Sequence, residues 1–359
     1  MDLSCLPNHY SIEKVIGQGN FGVIYRGRNI ETSEKVAIKV IKYKSGLSEL
    51  QNEVKVLTKL QGGEGIPILK WYTKTANLYI MNLLGACLND KFIKENKKIS
   101  DQNFVLIAEQ LLKRIEFMHS KNIIHRDIKP HQLVIDRKKR SKLYLIDFGL
   151  SKLYKGVDGT HVPYGEGKAF AGTFNYASIH AHLGVQQSRR DDLESYSYVL
   201  AYFINGDLPW RLSLSTQNEA SIKKMKLSLK PSDLFPSHPS LSKIYSYIRS
   251  LKFDESPDYS YILSQILTFK STILSPKPYF TFKSTRSSSK LNKSIKRRKK
   301  FKANTFVCIN KLLEYDDFSA TVIDKNYPEL RLNKSPVQIS ESPTKDSLKS
   351  VSEPGCFLF

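Results

Sequence analysis

Two loop carboxylates and a lysine carry the clearest chemistry in this chain. They lie in His125-Arg126-Asp127-Ile128-Lys129-Pro130 and, after a short basic hairpin, in Asp147-Phe148-Gly149. The set suits the movement of a phosphoryl group. Asp127 would accept the hydrogen bond of an attacking hydroxyl, and Lys129 would neutralise charge developing on the transferred group. Asp147 would bind a magnesium ion that bridges the phosphates. Two residues after Pro130, where this chemistry wants an asparagine for a second magnesium, stands Gln132. It keeps the amide oxygen but is one methylene longer, so a weakened metal ligand is expected. Isolated loop aspartates commonly cap turns instead; His125, Arg126, Lys129, Phe148 and Gly149 around them favour the chemical reading. His125 is expected to pack against the turn before Asp147 as a structural histidine, and His131 to face solvent.

A second cluster precedes this one. Gly17-Gln18-Gly19-Asn20-Phe21-Gly22, bounded by Ile16 and Val23, is a glycine-rich turn that would let backbone amides cover nucleotide phosphates. Glycine turns between strands are common, so this alone decides little. Val36-Ala37-Ile38-Lys39 adds weight, because a lysine inside an apolar strand is costly to bury unless paired. Glu53 is the natural partner, leaving the ammonium to grip phosphate oxygens; both could otherwise be solvated surface charges.

These residues need elements to hold them. Alternating patterns predict strands over 10–16, 22–29 and 35–43, and helical spacing of Leu50, Val54, Leu57 and Leu60 predicts a helix over 48–60. A short apolar strand over 78–84 runs into Gly85 as a link between a sheet lobe and a helical lobe. Ser100 can cap a helix through Ser120 that buries Phe104, Ile107, Leu111, Ile115 and Met118. Further helices are expected over 190–205 and 241–251.

With 359 residues, 40% hydrophobic and 11% aromatic, the chain has material for a large core. It contains no apolar run near the roughly 20 residues that span a bilayer, and residues 1–5 lack the features of a signal peptide. A cytosolic or nuclear body is therefore expected. Its four cysteines form no CxxC pair, which argues against a disulfide framework or zinc site. The formal net charge of +22 implies attraction to acidic partners without choosing among them, and no motif points to a specific nucleic acid.

Longer strings sharpen the reading. Leu83-Leu84-Gly85, Gly172-Thr173, Tyr176-Ala177-Ser178-Ile179-His180, Gln187-Ser188-Arg189-Arg190-Asp191-Asp192-Leu193-Glu194-Ser195, Leu208-Pro209-Trp210 and Phe253-Asp254-Glu255-Ser256-Pro257-Asp258-Tyr259 occur in order. Over roughly residues 9–285 the chain resembles a casein kinase I type serine/threonine protein kinase, with Ser-Ile-His where that family usually has Ser-Ile-Asn. The resemblance implies an α+β, bilobal kinase fold, a small antiparallel sheet lobe beside a larger helical lobe. It implies ATP with magnesium in the cleft, bound by Ile16, Gly17, Gly19, Gly22, Val23, Ala37, Lys39, Glu53, Met81 at the back of the adenine pocket and Leu84 at the hinge. It also implies Asp127 and Lys129 as catalytic residues, Asp147 and Gln132 as metal ligands, and Thr173 beside Asp127 and Lys129. Substrates would be serine or threonine near acidic or phosphorylated residues, acted on by a monomer.

Two departures bear on those substrates. Asn175 replaces a phosphate-binding arginine, and the loop between Trp210 and Lys223 is short, leaving Arg126 and Lys152 as candidate phosphate contacts. Residues 286–359 read as a mostly disordered tail, Ser-rich, then basic at Lys296-Arg297-Arg298-Lys299-Lys300, with a short ordered element over 306–313 left open. The basic run fits a nuclear address or an anionic membrane. Cys356-Phe357-Leu358-Phe359 fits a prenylation signal for membrane association, and the Ser335-Pro336 and Ser342-Pro343 pairs fit phosphorylation by other kinases.

Overall fold

The structure, a computed structural model, describes residues 3–19, 22–42, 46–211 and 218–272. Asn20, Phe21, most of the loop after Trp210, the basic run 296–300, the element expected over 306–313, the Ser-Pro pairs and Cys356 lie outside the described residues.

Side chains alternate with period two along a strand, and the amino-terminal lobe is built on that rule. β1 (Tyr10–Gln18), β2 (Gly22–Asn29) and β3 (Lys35–Ile41) form an antiparallel meander. After α1 (Leu47–Leu60), β4 (Leu69–Tyr72) and β5 (Leu78–Asn82) complete a sheet of order β1-β2-β3-β5-β4. Val36, Ile38 and Val40 face one side, where Leu78 and Ile80 join them under Leu3, Leu6, Tyr10, Ile12, Tyr25 and Trp71. Ala37 and Lys39 consequently face the other side, toward α1.

Three strand ends differ from expectation. β1 runs on to Gln18 because Gly17 and Gln18 still pair with Ile24 and Val23. β3 ends at Ile41. β5 stops at Asn82, whose side chain accepts the Ile68 N–H at 2.7 Å; the chain then leaves the sheet and Gly85 N–H donates to the Ile135 carbonyl at 2.9 Å. A Cβ on Gly85 would lie 2.5 Å from that carbonyl oxygen, so only glycine allows this approach.

The second lobe is mainly helical. α2 (Leu88–Lys94) leads to α3 (Asp101–Ser120), which starts where Ser100 Oγ accepts the Asn103 N–H at 3.3 Å and buries the five side chains expected. Short strands β6 (Ile123–Ile124), β7 (Leu133–Ile135), β8 (Leu143–Leu145) and β9 (Lys152–Leu153) carry the loops between them. Then come α4 (Ile179–His182), α5 (Arg189–Asn205), α6 (Glu219–Ser228), α7 (Pro231–Leu234), α8 (Pro239–Ser250) and α9 (Tyr259–Ser271). α5 is buried around its whole circumference, so its Asp191, Asp192 and Glu194 must find partners inside the lobe. One apolar cluster joins the lobes, including Ala37, Leu57 and Met81 from the first and Leu133, Phe148 and Leu193 from the second.

Candidate active site

Lys39 is set by register. It sits opposite Ile24 on β2 and Tyr79 on β5, on the face turned toward α1. Leu50, Val54, Leu57 and Leu60 anchor that helix in the core, which delivers Glu53, 3% exposed, to the strand. Lys39 Nζ lies 2.6 Å from Glu53 Oε2 and 3.5 Å from Asp147 Oδ1. Burial would lower the Lys39 pKa, but Glu53, with Tyr79 and Asp147, outweighs it and holds the ammonium well above its ordinary value.

The apolar residues read as nucleotide contacts gather on this face. Ala37 pairs with Met81 across β3 and β5, both in the cluster with Leu133 and Ile135, and Ile16, Ile24 and Leu83 pack against it. Val23 is buried and Leu84 half-buried just before Gly85. Among the glycines, Gly22 is required by sheet packing, since a Cβ there would meet the Val40 carbonyl oxygen at 2.6 Å. Gly19 N–H donates to the Gly22 carbonyl at 2.9 Å. Gly17 lies against Ile24.

The catalytic-loop residues depend on α5. Asp192 accepts the His125 N–H at 2.7 Å on Oδ2 and the Arg126 N–H at 2.9 Å on Oδ1, while His119 Nε2 lies 2.9 Å from Oδ2. Burial would raise the Asp192 pKa; the His119 contact, with His125 nearby, holds it below the usual carboxylate value. His125 is fully buried, its Nε2 3.2 Å from the Ile146 carbonyl, which is the structural place expected for it. Arg126 and Asp147 both have positive φ, +68° and +66°, a strained state that such fixed surroundings must maintain.

Within this frame the polar side chains of the two loops converge. The Thr173 hydroxyl donates to Asp127 Oδ1 at 2.7 Å and accepts from Lys129 Nζ at 2.8 Å; Lys129 Nζ is also 3.2 Å from Asp127 Oδ2. Gln132 Nε2 lies 2.9 Å from Asp147 Oδ2 and 3.5 Å from Asp127 Oδ2. Asp147 is lowered in pKa: burial acts to raise it, but Lys39, Lys129 and His125 and the hydrogen bond from Gln132 prevail.

His131 departs from expectation. It is half-buried in the turn Pro130–Gln132, with Nε2 3.0 Å from Asn89 Nδ2, so it does not face solvent. The short 3-10 turn packs this side chain against α2. Arg126 Nε donates to the Leu150 carbonyl at 2.6 Å, and Lys152 lies close enough to Arg126 and Lys168 that, after burial, their charges lower its pKa. Lys168 escaped the sequence reading because its neighbours there are loop residues without pattern. Asp192, quoted only within a motif, and Asn52, adjacent to Glu53, were also missed.

These donors fit a magnesium nucleotide. One ionised carboxylate, Asp147, would supply a protein ligand; Gln132, whose Nε2 donates to it at 2.9 Å, would offer its amide oxygen only after turning the amide over, and a hard cation of this kind completes its shell with phosphate oxygens and water. Bound there, magnesium would neutralise charge on the phosphates. Lys39 would hold a phosphate oxygen, with Glu53 fixing the ammonium.

A five-stranded antiparallel sheet over a helical lobe, α+β in class, with Lys39, Glu53, Asp127 and Asp147 converging between them, is the architecture of a kinase domain. The chain matches the family model for the protein kinase domain over residues 10–278, and it belongs to the protein kinase family. Domains of this family generally use ATP and Mg²⁺.

Proposed function

We propose that this chain is an active serine/threonine protein kinase of casein kinase I type, acting on serine or threonine near acidic or phosphorylated residues. The observation that carries the reading is the Asp127–Thr173–Lys129 arrangement, in which one hydroxyl at 2.7 and 2.8 Å fixes both the base and the ammonium. Asp127 takes the proton of the substrate hydroxyl as its oxygen bonds to the γ-phosphorus and the bond to the leaving nucleoside diphosphate breaks. Lys129 neutralises charge on the transferred group. The motif strings from Leu83 to Tyr259 support the subfamily, and the grouping of Arg126, Lys152 and Lys168 supports acidic or phosphorylated substrates despite Asn175.

Phosphate transfer from labelled ATP to casein by the purified chain, beside Asp127→Asn, tests this. Signal well above the variant is expected. Signal equal to it would leave a nucleotide-binding scaffold as the better description. Cys356-Phe357-Leu358-Phe359 would direct membrane attachment of an otherwise cytosolic or nuclear monomer only as the mature end of the protein. Mass spectrometry of the C-terminal peptide from the native host is expected to find a prenyl group on Cys356; an unmodified end removes that part.

A further inference from the structure

We propose that Asn52 is a positioning residue that clamps α1 to the Asp147-Phe148-Gly149 turn and so couples the Lys39–Glu53 pair to the metal-binding carboxylate. The proposal rests on the kinase reading above. Asn52 Nδ2 lies 2.8 Å from the Gly149 carbonyl, 2.8 Å from the Ser151 carbonyl and 3.4 Å from that of Phe148. An amide nitrogen carries two protons, so the two short contacts use its full capacity as a donor. The turn needs such a donor, because irregular backbone has no ladder to satisfy its carbonyls. Ser151 N–H closes the turn onto the Phe148 carbonyl at 3.0 Å, and the Ser151 hydroxyl lies 3.4 Å from the His125 carbonyl. The clamp therefore reaches through the turn to the catalytic loop.

Two further observations make this more than a satisfied turn. A Cβ on Gly149 would meet both Cβ and the carbonyl oxygen of Glu49 at an ordinary contact distance of 3.6 Å, so the turn passes the start of α1 with room for only about one methyl group between them. Asp147, at φ +66°, holds a conformation that persists only where neighbours over-determine it. Lys39 and Gln132 hold its carboxylate, and Asn52 holds the backbone that follows. Asn52 and Glu53 are consecutive on one helix, so a shift of α1 that opens the clamp also draws Glu53 from Lys39.

The test uses the full chain with Asn52→Leu, which keeps size and helix but removes the donor, and Asn52→Ser, which keeps one donor. Magnesium-dependent ADP binding is measured by calorimetry, and turnover is measured across a magnesium titration. Loss of such a supporting contact typically costs about 10 to 100-fold in metal affinity or activity. Asn52→Leu is expected to raise the half-saturating magnesium for ADP by about 10-fold and to lower kcat to a similar extent. Adding Glu53→Gln should then cost little more than the worse single change, because both act through the placement of α1. Wild-type magnesium dependence in Asn52→Leu, or full additivity with Glu53→Gln, overturns the proposal. Asn52→Ser carries the test if the leucine variant does not fold, and wild-type magnesium dependence there overturns it equally. If the unaltered chain transfers no phosphate, the kinase reading fails, and ADP binding still decides the role of Asn52.

Discussion

Gln132 spans the two functional carboxylates, its Nε2 2.9 Å from Asp147 Oδ2 and 3.5 Å from Asp127 Oδ2. One amide nitrogen thus ties together the two carboxylates that the proposed reading assigns as base and metal ligand. Gln132→Asn is expected to raise turnover at low magnesium, and Gln132→Ala to lower it by about 10 to 100-fold. Superimposable magnesium titrations for wild type and Gln132→Asn would count against a metal-ligand role.

The Lys39–Glu53 pair is buried, with side-chain exposures of 12% and 4%, so deleting one partner strands a charge. Glu53→Ala should cost about 3–5 kcal/mol in urea unfolding. Lys39→Met should lower kcat by roughly 10²–10³, the scale of a lost charge-stabilising donor. A Glu53→Ala midpoint unchanged from wild type would contradict the pairing.

Thr173 can serve Asp127 and Lys129 together only through its hydroxyl. Thr173→Val should reduce kcat by about 10-fold or more with little change in KM for ATP, while Thr173→Ser retains most activity, each lost hydrogen bond to a charged group being worth about 1.5–3 kcal/mol. Steady-state kinetics of the pair decide it; equal losses in both variants point to packing of the methyl group instead.

Asp191 gives a pH signature. Burial pushes its carboxyl up from 3.8 to about 7, although Ser178 donates to it and the Ser188 N–H donates at 2.7 Å. Between about pH 4 and 7 the unfolded chain releases a proton that the folded chain keeps, so this group's contribution to stability falls as pH rises. Asn does not titrate. Asp191→Asn should therefore gain on wild type across that window, by at most about 1.4 kcal/mol per pH unit. His182, held at about 3 by burial and by Lys226, acts in the opposite sense but is common to both proteins and cancels. Denaturant midpoints at pH 5, 6 and 7 test the sign, and a constant difference refutes it.

Arg126 and Lys168 lie close enough to Lys152 for their charges to act on it, and Arg126 Nε donates to the Leu150 carbonyl at 2.6 Å, which makes these three a basic group beside the segment after Gly149. Lys152→Ala/Lys168→Ala should reduce kcat/KM for a phosphorylated peptide about 10-fold, with little effect on a neutral one, since a charged hydrogen bond is worth about 1.5–3 kcal/mol. Added salt should weaken the wild-type preference in the same direction. Equal losses on both peptides would assign these lysines to folding instead.

Much of this arrangement was legible from local chemistry. Period-two alternation in Val36-Ala37-Ile38-Lys39-Val40 puts Lys39 opposite the apolar face, and helical spacing of Leu50, Val54 and Leu57 brings Glu53 to the same side. Those patterns hold because strand and helix periods are intrinsic to the backbone. The burial of His131 has no local signal, because Asn89, which it contacts, lies 42 residues away on α2. Asn52 reaches carbonyls 96 to 99 residues ahead, and Asp192 reaches back 66 and 67 residues to the Arg126 and His125 amides. From the sequence alone came the elements, the kinase motifs and the need to pair Lys39. Only the tertiary structure decided which polar groups on the amphipathic helix α1 and the buried helix α5 satisfy the irregular loops, because those loops lack ladders of their own and take donors and acceptors from whatever the core packs against them.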